Sequence, residues 1–440
     1  MFSRFPANYA VLQRRGKRDR MGRKFPDQNP DRRELHMKPE KKPLGIYVHV
    51  PFCKSKCVYC DFYSLPNAEE KMDAYVKAVA AHLTETAPRA ERHRVDTIYF
   101  GGGTPTFLRA KRLRELLSVI LKKYDVDRDA EITFEANPDS AGDWRELRAL
   151  RRAGFNRISL GMQSADDGEL AEIGRVHTMD QVKAAVEAAG RAGLHNLSLD
   201  LIYGLPHQTM ERWQANLAAA VSLSPQHISC YGLKVEEGTP LFVRRADAGL
   251  PDDEAQADLY LCAVDTLRHY GFFQYEISNF ARPDFQSRHN LKYWTLGEYA
   301  GFGPGAHSDF GGVRYAYARD LDTYIRGVLE GAPMLSESER IPQLDRDTEY
   351  LMLGLRTVRG ILPREFESRY RRRFDCLLPF LRQCAQAGYA LREEDGSWHL
   401  TPAGFLVSNQ IIGGVLDALS EDKRRRADAA ARGDFRVRLD

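Results

Sequence analysis

The chain has 440 residues and a mass of 50.0 kDa, with 43% hydrophobic and 28% charged residues. That balance excludes extended disorder and collagen-like sequence, and leaves room for two or three domains at ~150 residues each. No apolar run reaches the roughly 18 residues that a bilayer-spanning helix needs, and a net charge of +3 is too small to mark the whole chain as a nucleic-acid binder.

The positive charge is concentrated at the start. Residues 1–42 carry 13 Lys or Arg against five Asp or Glu, a net +8, so the rest of the chain stands at −5. The segment lacks the apolar core of a secretory signal and is too acidic for a transit peptide. It is expected to be a basic, disordered leader, with Met21 and Met37 as alternative starts and a peripheral contact with an anionic membrane as the minority reading. Seven cysteines, three of them within eight positions, do not make a disulfide framework. They indicate a cytoplasmic chain whose grouped thiols hold a metal. Cys230, Cys262, Cys376 and Cys384 are isolated and read as buried small hydrophobes.

From residue 45 the sequence alternates β-branched runs with helical periodicity, the pattern of an α/β fold with a parallel sheet. Six strands are expected at Gly45–Val50, Val95–Phe100, Glu131–Ala136, Arg157–Gly161, Leu197–Ile202 and His227–Gly232. Helices are expected between them, at Glu69–Thr86, Ala110–Tyr124, Asp143–Ala153, Met179–Ala192 and Met210–Leu223. Periodicity leaves open whether the six units curl into a partial barrel or form a doubly wound sheet. Polar or glycine residues stand at strand ends, at Cys53, Gly101–Thr104, Glu135, Gln163 and Asp200. Both architectures bind ligands there, so five such ends suggest one pocket.

Beyond residue 250 a helix is expected over Asp253–Tyr270, then an irregular Gly- and aromatic-rich stretch from Gln274 to Tyr317. Gly301–His307 is glycine-rich, but it follows no clear strand and contains Pro304, so it is read as a packing turn rather than a dinucleotide loop. Helices at Thr348–Val358, Pro363–Tyr370 and Leu377–Ala387 precede a hairpin turning at Asp395-Gly396 and a last helix from Pro402 to Leu419. The shape is winged-helix-like. Its surface lacks the basic excess of a nucleic-acid binder, so nucleic acid is not expected as a partner.

The most specific feature is Cys53-x3-Cys57-x2-Cys60, placed in the loop after the first strand. A structural zinc site needs four ligands, and no second C-x2-C arm exists; His49 is the one nearby residue that could complete it. Three thiolates on a [4Fe–4S] cluster instead leave one iron free to bind a small molecule.

This motif resembles that of the radical S-adenosylmethionine superfamily, over roughly residues 44–300. The resemblance implies a partial (β/α)6 barrel, a [4Fe–4S] cluster on Cys53, Cys57 and Cys60, and S-adenosylmethionine chelated to the open iron. It implies cofactor contacts from Gly102, Gly103 and Thr104 to the methionine part, from Glu135 toward its positive end, from Gln163 and Asp200 to ribose or amine groups, and from Arg175 to the carboxylate. Tyr59 is then expected against the adenine and Tyr47 near the sulfonium, although core packing is an equal reading for either ring.

A narrower resemblance is to the oxygen-independent coproporphyrinogen III oxidase subfamily, through Tyr47–Cys53, Gly101–Thr106, Asp200–Pro206 and the C-terminal unit. The oxidase branch has a further cysteine two positions after the third, where this chain has Phe62. The HemW-type haem chaperone branch is similar to this sequence there, and carries an H-N-x-x-Y-W motif matched by His289, Asn290, Tyr293 and Trp294. The resemblance implies haem as bound cargo, with His289 a candidate axial ligand beside His307, His49 and the cysteines, and an acceptor haemoprotein as partner. Oxidative decarboxylation of coproporphyrinogen III, or another radical modification of a tetrapyrrole, is the alternative. Whether the chain is a monomer or a homodimer is open. The expected organisation is a leader (1–42), the barrel (43–270), a connecting segment holding the motif (271–344), a C-terminal helical, winged-helix-like domain (345–420) and a charged tail (421–440).

Overall fold

The computed structural model describes residues 41–432. The leader therefore lies outside the described residues, except for Lys41 and Lys42, as does the end of the tail from residue 433. No helix among the described residues is long and apolar enough to cross a membrane.

Six parallel strands form the centre: β1 (Lys42–Val50), β2 (His93–Gly102), β3 (Val126–Ala136), β4 (Arg157–Gln163), β5 (Asn196–Tyr203) and β6 (His227–Gly232). They lie side by side in chain order, each paired in parallel with the next. A doubly wound sheet reverses its order at a switch point; this sheet does not, so the alternative left open by periodicity is resolved in favour of the partial barrel. The crossovers are α1 (Met72–Thr86), α2 (Arg109–Lys123), α3 (Trp144–Ala153), α4 (Met179–Ala192) and α5 (Met210–Ser222).

The strands alternate with period two, and the two faces differ in kind. Ile46, Val48, Ile98, Phe100, Ile132, Phe134, Ile158, Leu160, Leu199 and Leu201 belong to the apolar core that packs under the helices. Burying side chains of this size stabilises by about 1.5–3 kcal/mol each. The alternate positions are largely polar: Arg157, Ser159 and Gln163 on β4, Ser198 and Asp200 on β5, His227 and Ser229 on β6. The barrel interior therefore presents polar side chains to a cavity.

The stretch from Gln274 to Tyr317, expected to be irregular, is ordered as strands of the same sheet. β7 (Phe273–Glu276) and β8 (Asn279–Ala281) extend it beyond β6. β9 (Tyr299–Phe302) pairs in parallel with β1, and β10 (His307–Phe310), β11 (Val313–Tyr317) and β12 (Leu335–Arg340) follow antiparallel, giving twelve strands. Each is short and interrupted by Gly or a turn, so sequence periodicity had too few residues to register. Residues 273–340 thus flank the barrel on both edges rather than connecting two bodies. α6 (Asp253–His269) leads into β7, and the short α7 (Arg288–Trp294) joins β8 to β9.

The C-terminal unit contains the expected helices, a hairpin of Ala390–Arg392 with Trp398–Leu400, and a final helix Ser408–Ala431. That helix runs past the expected end at Leu419, so residues 421–431 are helical rather than a frayed tail. Its extension is used: Lys423 reaches the fully buried Asp347, which Arg372 also meets at 2.6 Å. Backbone bonds from Ile277 to Arg356 and from Val358 to Tyr275 tie the unit to β7. Of the isolated cysteines, Cys230 and Cys384 are buried as expected, whereas Cys262 and Cys376 are half-buried.

Candidate functional site

The cavity, about 620 Å³, runs through the barrel. Its upper wall is the loop after β1, with Cys53, Cys57, Tyr59, Cys60 and Phe62. All three thiols are half-buried and free. Cys53 Sγ lies 3.5 Å from Thr104 Oγ1, and burial raises the thiol pKa of Cys53 and Cys60. Among the described residues no three His, Cys, Asp or Glu side chains converge on one point as a single metal ion requires. A cubane can be held by three thiolates, whereas a closed zinc site needs four ligands, so three thiols lining one cavity fit a cluster better than zinc. His49, the candidate fourth zinc ligand, is engaged at both ring nitrogens, by the Tyr47 hydroxyl at 3.0 Å and the Tyr63 carbonyl at 2.8 Å.

The glycine run at the end of β2 lies directly behind this loop. Gly103 N–H donates to the Val50 carbonyl, and a Cβ on Gly103 would lie 2.7 Å from the Phe52 carbonyl and 3.0 Å from Cys53 Sγ. Gly102 has φ +108°, a conformation that glycine adopts without strain. Backbone and cysteine loop can approach this closely only because no side chain intervenes.

Glu135 accepts from the Tyr99 hydroxyl at 2.8 Å and from Gly102 N–H at 3.0 Å. Burial, reinforced by the charge of Asp200, outweighs those bonds and lifts its carboxyl to about 7. Asp200 is also raised by burial, although the hydroxyls of Ser159, Ser198 and Ser229 all donate to it. Two desolvated carboxyls on one wall favour a cationic ligand, which relieves both. Arg175 donates from Nη2 to the Tyr59 hydroxyl at 2.7 Å and from Nη1 to Asn137 Oδ1 at 2.9 Å, while its Nε has no partner. Gln163, at φ +65°, lines the same wall. The donor set, the glycine cradle and the orphaned guanidinium nitrogen together fit a cluster bearing a zwitterionic, positively charged ligand.

The structure does not bring every expected residue to this wall. Tyr47 does not line the cavity: its ring packs beside both Tyr99 and His289, and its hydroxyl meets His49. The motif on α7 packs against the middle of β1–β3, at Tyr47, Thr97, Tyr99 and Glu131. Glu131 accepts the first N–H groups of α7, from Arg288 and His289, at 3.0 Å each. His289, 1% exposed, is hydrogen-bonded through Nδ1 to Thr97 Oγ1 and through Nε2 to the Tyr293 hydroxyl, both at 2.9 Å. Burial lowers its pKa to about 3. Both ring nitrogens are thus committed, so ligation of haem iron by His289 would require one of these bonds to break, and the ring stacks on Tyr99 with centroids 5.2 Å apart. Trp294 is half-buried, and Asn290 alone of the four lines the cavity.

Sequence reasoning stopped at the strand ends and missed the interior, namely Arg157, Ser159, Ser198, His227 and Ser229. Their period-two spacing against the Ile and Leu of the outer face was the available signal.

Comparison with known proteins agrees with this architecture. Residues 47–219 match the radical SAM superfamily, and residues 341–407 match the HemN C-terminal domain. The solved coproporphyrinogen III oxidase HemN of Escherichia coli has the same fold, with a TM-score of 0.75 at 24% identity over 86% of this chain and 90% of that one. Heme chaperone HemW of Bacillus subtilis is 34% identical over 85% of this chain and 100% of its own length. The chain belongs to the HemW family. HemW of Escherichia coli, 36% identical over 84% of this chain and 97% of its own, and HemW of Lactococcus lactis, 35% identical over 84% and 97%, match over nearly the same extent.

Proposed function

We propose that this protein binds haem and hands it to an acceptor haemoprotein, on a barrel that holds a [4Fe–4S] cluster and S-adenosylmethionine. The observation that carries the reading is the full-length match to relatives named as haem chaperones. The oxidase reading has less support, because Phe62, 67% exposed at the cavity rim, occupies the position of the oxidase branch's further cysteine.

Cys53, Cys57 and Cys60 hold the cluster in this reading, and Gly102, Gly103 and Thr104 receive the methionine part of S-adenosylmethionine. Cluster and cofactor together supply one-electron chemistry when bound. The chain's own residues orient and shield: Glu135 faces the cofactor's positive charge, Arg175 offers its free Nε to the carboxylate while holding Tyr59, and Gln163 and Asp200 hydrogen-bond its sugar. His289 and Tyr293 hold the barrel floor, and Asn290 reaches the cavity. Haem iron takes its ligand from elsewhere, since His289 has no free nitrogen. The +8 charge of residues 1–42 supports a peripheral contact with anionic lipid, which co-sedimentation with phosphatidylserine vesicles tests.

The functional test is transfer: haem-loaded protein mixed with an apo-haemoprotein should pass its haem on faster than free haem equilibrates. Retention of all haem by the donor would contradict the reading.

A further inference from the structure

Arg157 is 2% exposed and lies on the cavity floor, below Asp200. Among the described residues no carboxylate lies within 4 Å of it. Its hydrogen-bond partners are neutral: Nη1 donates to Asn196 Oδ1 at 3.0 Å and to the Phe285 carbonyl at 3.3 Å. Nε is buried with no partner. The guanidinium edge formed by Nε and Nη2, which matches a carboxylate through two parallel bonds, thus carries no hydrogen bond.

A guanidinium keeps its charge, and a buried charge without a counter-ion is costly. Asp200 feels this charge but makes no direct ion pair with it, because three serine hydroxyls already hold its oxygens. His227 is kept neutral by burial and by Arg157 itself. Ser287 and Asn290 close the floor. The cavity floor therefore carries a guanidinium with an open hydrogen-bonding edge.

We propose that Arg157 is the anchor of an anion subsite inside the barrel, which takes the carboxylate of an organic ligand. The carboxylate comes either from a haem propionate, in which case the site rests on the haem reading above, or from a small free dicarboxylate. A monoanion held edge-on meets Nε and Nη2, leaves Nη1 on Asn196, and supplies the directly bonded carboxylate that the guanidinium lacks.

The test uses cluster-reconstituted, S-adenosylmethionine-loaded protein under anaerobic conditions, with three probes: haem, haem dimethyl ester and sodium succinate. If the source is a propionate, haem binds roughly ten-fold or more tightly than its diester, and Arg157→Gln abolishes the difference. If the source is a free dicarboxylate, haem and diester bind alike, while succinate raises the thermal midpoint saturably above an equal-ionic-strength chloride control in the parent and not in Arg157→Gln. Asn196→Asp serves where Arg157→Gln does not fold: it puts a counter-charge on Nη1 and should weaken the same probe several-fold. Equal binding of haem and diester with no succinate effect overturns the proposal. No haem binding by the parent overturns the haem reading, and the succinate arm alone then decides the site.

Discussion

Arg175 and Tyr59, 116 positions apart in sequence, are joined by a 2.7 Å hydrogen bond from guanidinium to phenol hydroxyl, with the guanidinium carbon 5.8 Å from the ring centroid. This pair links the segment after β4 to the cysteine loop after β1. It fixes the ring beside Cys60 and leaves the arginine's Nε free. Arg175→Gln should weaken S-adenosylmethionine binding roughly ten-fold, with Arg175→Lys restoring only part, because an ammonium cannot serve Tyr59, Asn137 and a carboxylate with one planar fork. Equilibrium dialysis of cluster-loaded protein measures this, and unchanged affinity in Arg175→Gln would remove the residue from the site.

Gly103 is the tightest point of the cradle. In Gly103→Ala the new Cβ meets two backbone carbonyls and Cys53 Sγ, none of which can swing aside as a flexible side chain does. The loop must shift, so iron and sulfide content after reconstitution should fall to a small fraction of the parent's. Full retention of a cluster would show that the loop has slack the geometry denies.

The cysteines divide into two classes. Cys57→Ser should abolish the cluster's absorbance and its reduced-state paramagnetic signal, whereas Cys262→Ser and Cys376→Ser, outside the cavity, should leave both intact. A cluster surviving Cys57→Ser would sink the three-thiolate assignment.

His289 makes a stability prediction whose sign follows from linkage. Its pKa is about 3 in the folded chain against 6.5 for the free side chain, so below pH 6.5 the unfolded state binds the proton and the folded state does not. Stability is therefore lost as pH falls from 6.5 toward 3, at up to about 1.4 kcal/mol per pH unit from this residue. Replacement by phenylalanine keeps a ring against Tyr99 and removes the titration. Urea unfolding between pH 7 and 4.5 should then show a shallower slope in His289→Phe, with haem affinity preserved at neutral pH. A folded variant that has lost haem would place the ligand in the motif after all.

The legibility of the chain follows length of repeat. All six barrel strands and the five crossover helices were readable because each has enough residues for its period to show, and Cys53, Cys57, Cys60 and the Gly101–Thr104 run because their spacing is rare. Strands β7–β11 were not readable: three to five residues between glycines give no period, and their places are set by free edges at β1 and β6. The surroundings of His289 were not legible, because a histidine beside aromatics suits a haem pocket and a packed floor equally. Only the contacts with Thr97, Glu131 and Tyr293, residues drawn from three elements, separate the two. Arg157 was overlooked because one basic residue opening a strand carries no signal until the strands beside it are known to face a cavity.

Haem handling is the central claim, and an anaerobic haem titration of the cluster-reconstituted protein, followed in the Soret region, tests it most directly. The account predicts one saturable site per chain, absent from an unrelated control protein and retained in His289→Phe. Haem absorbance indistinguishable from that of the control at every ratio would contradict it.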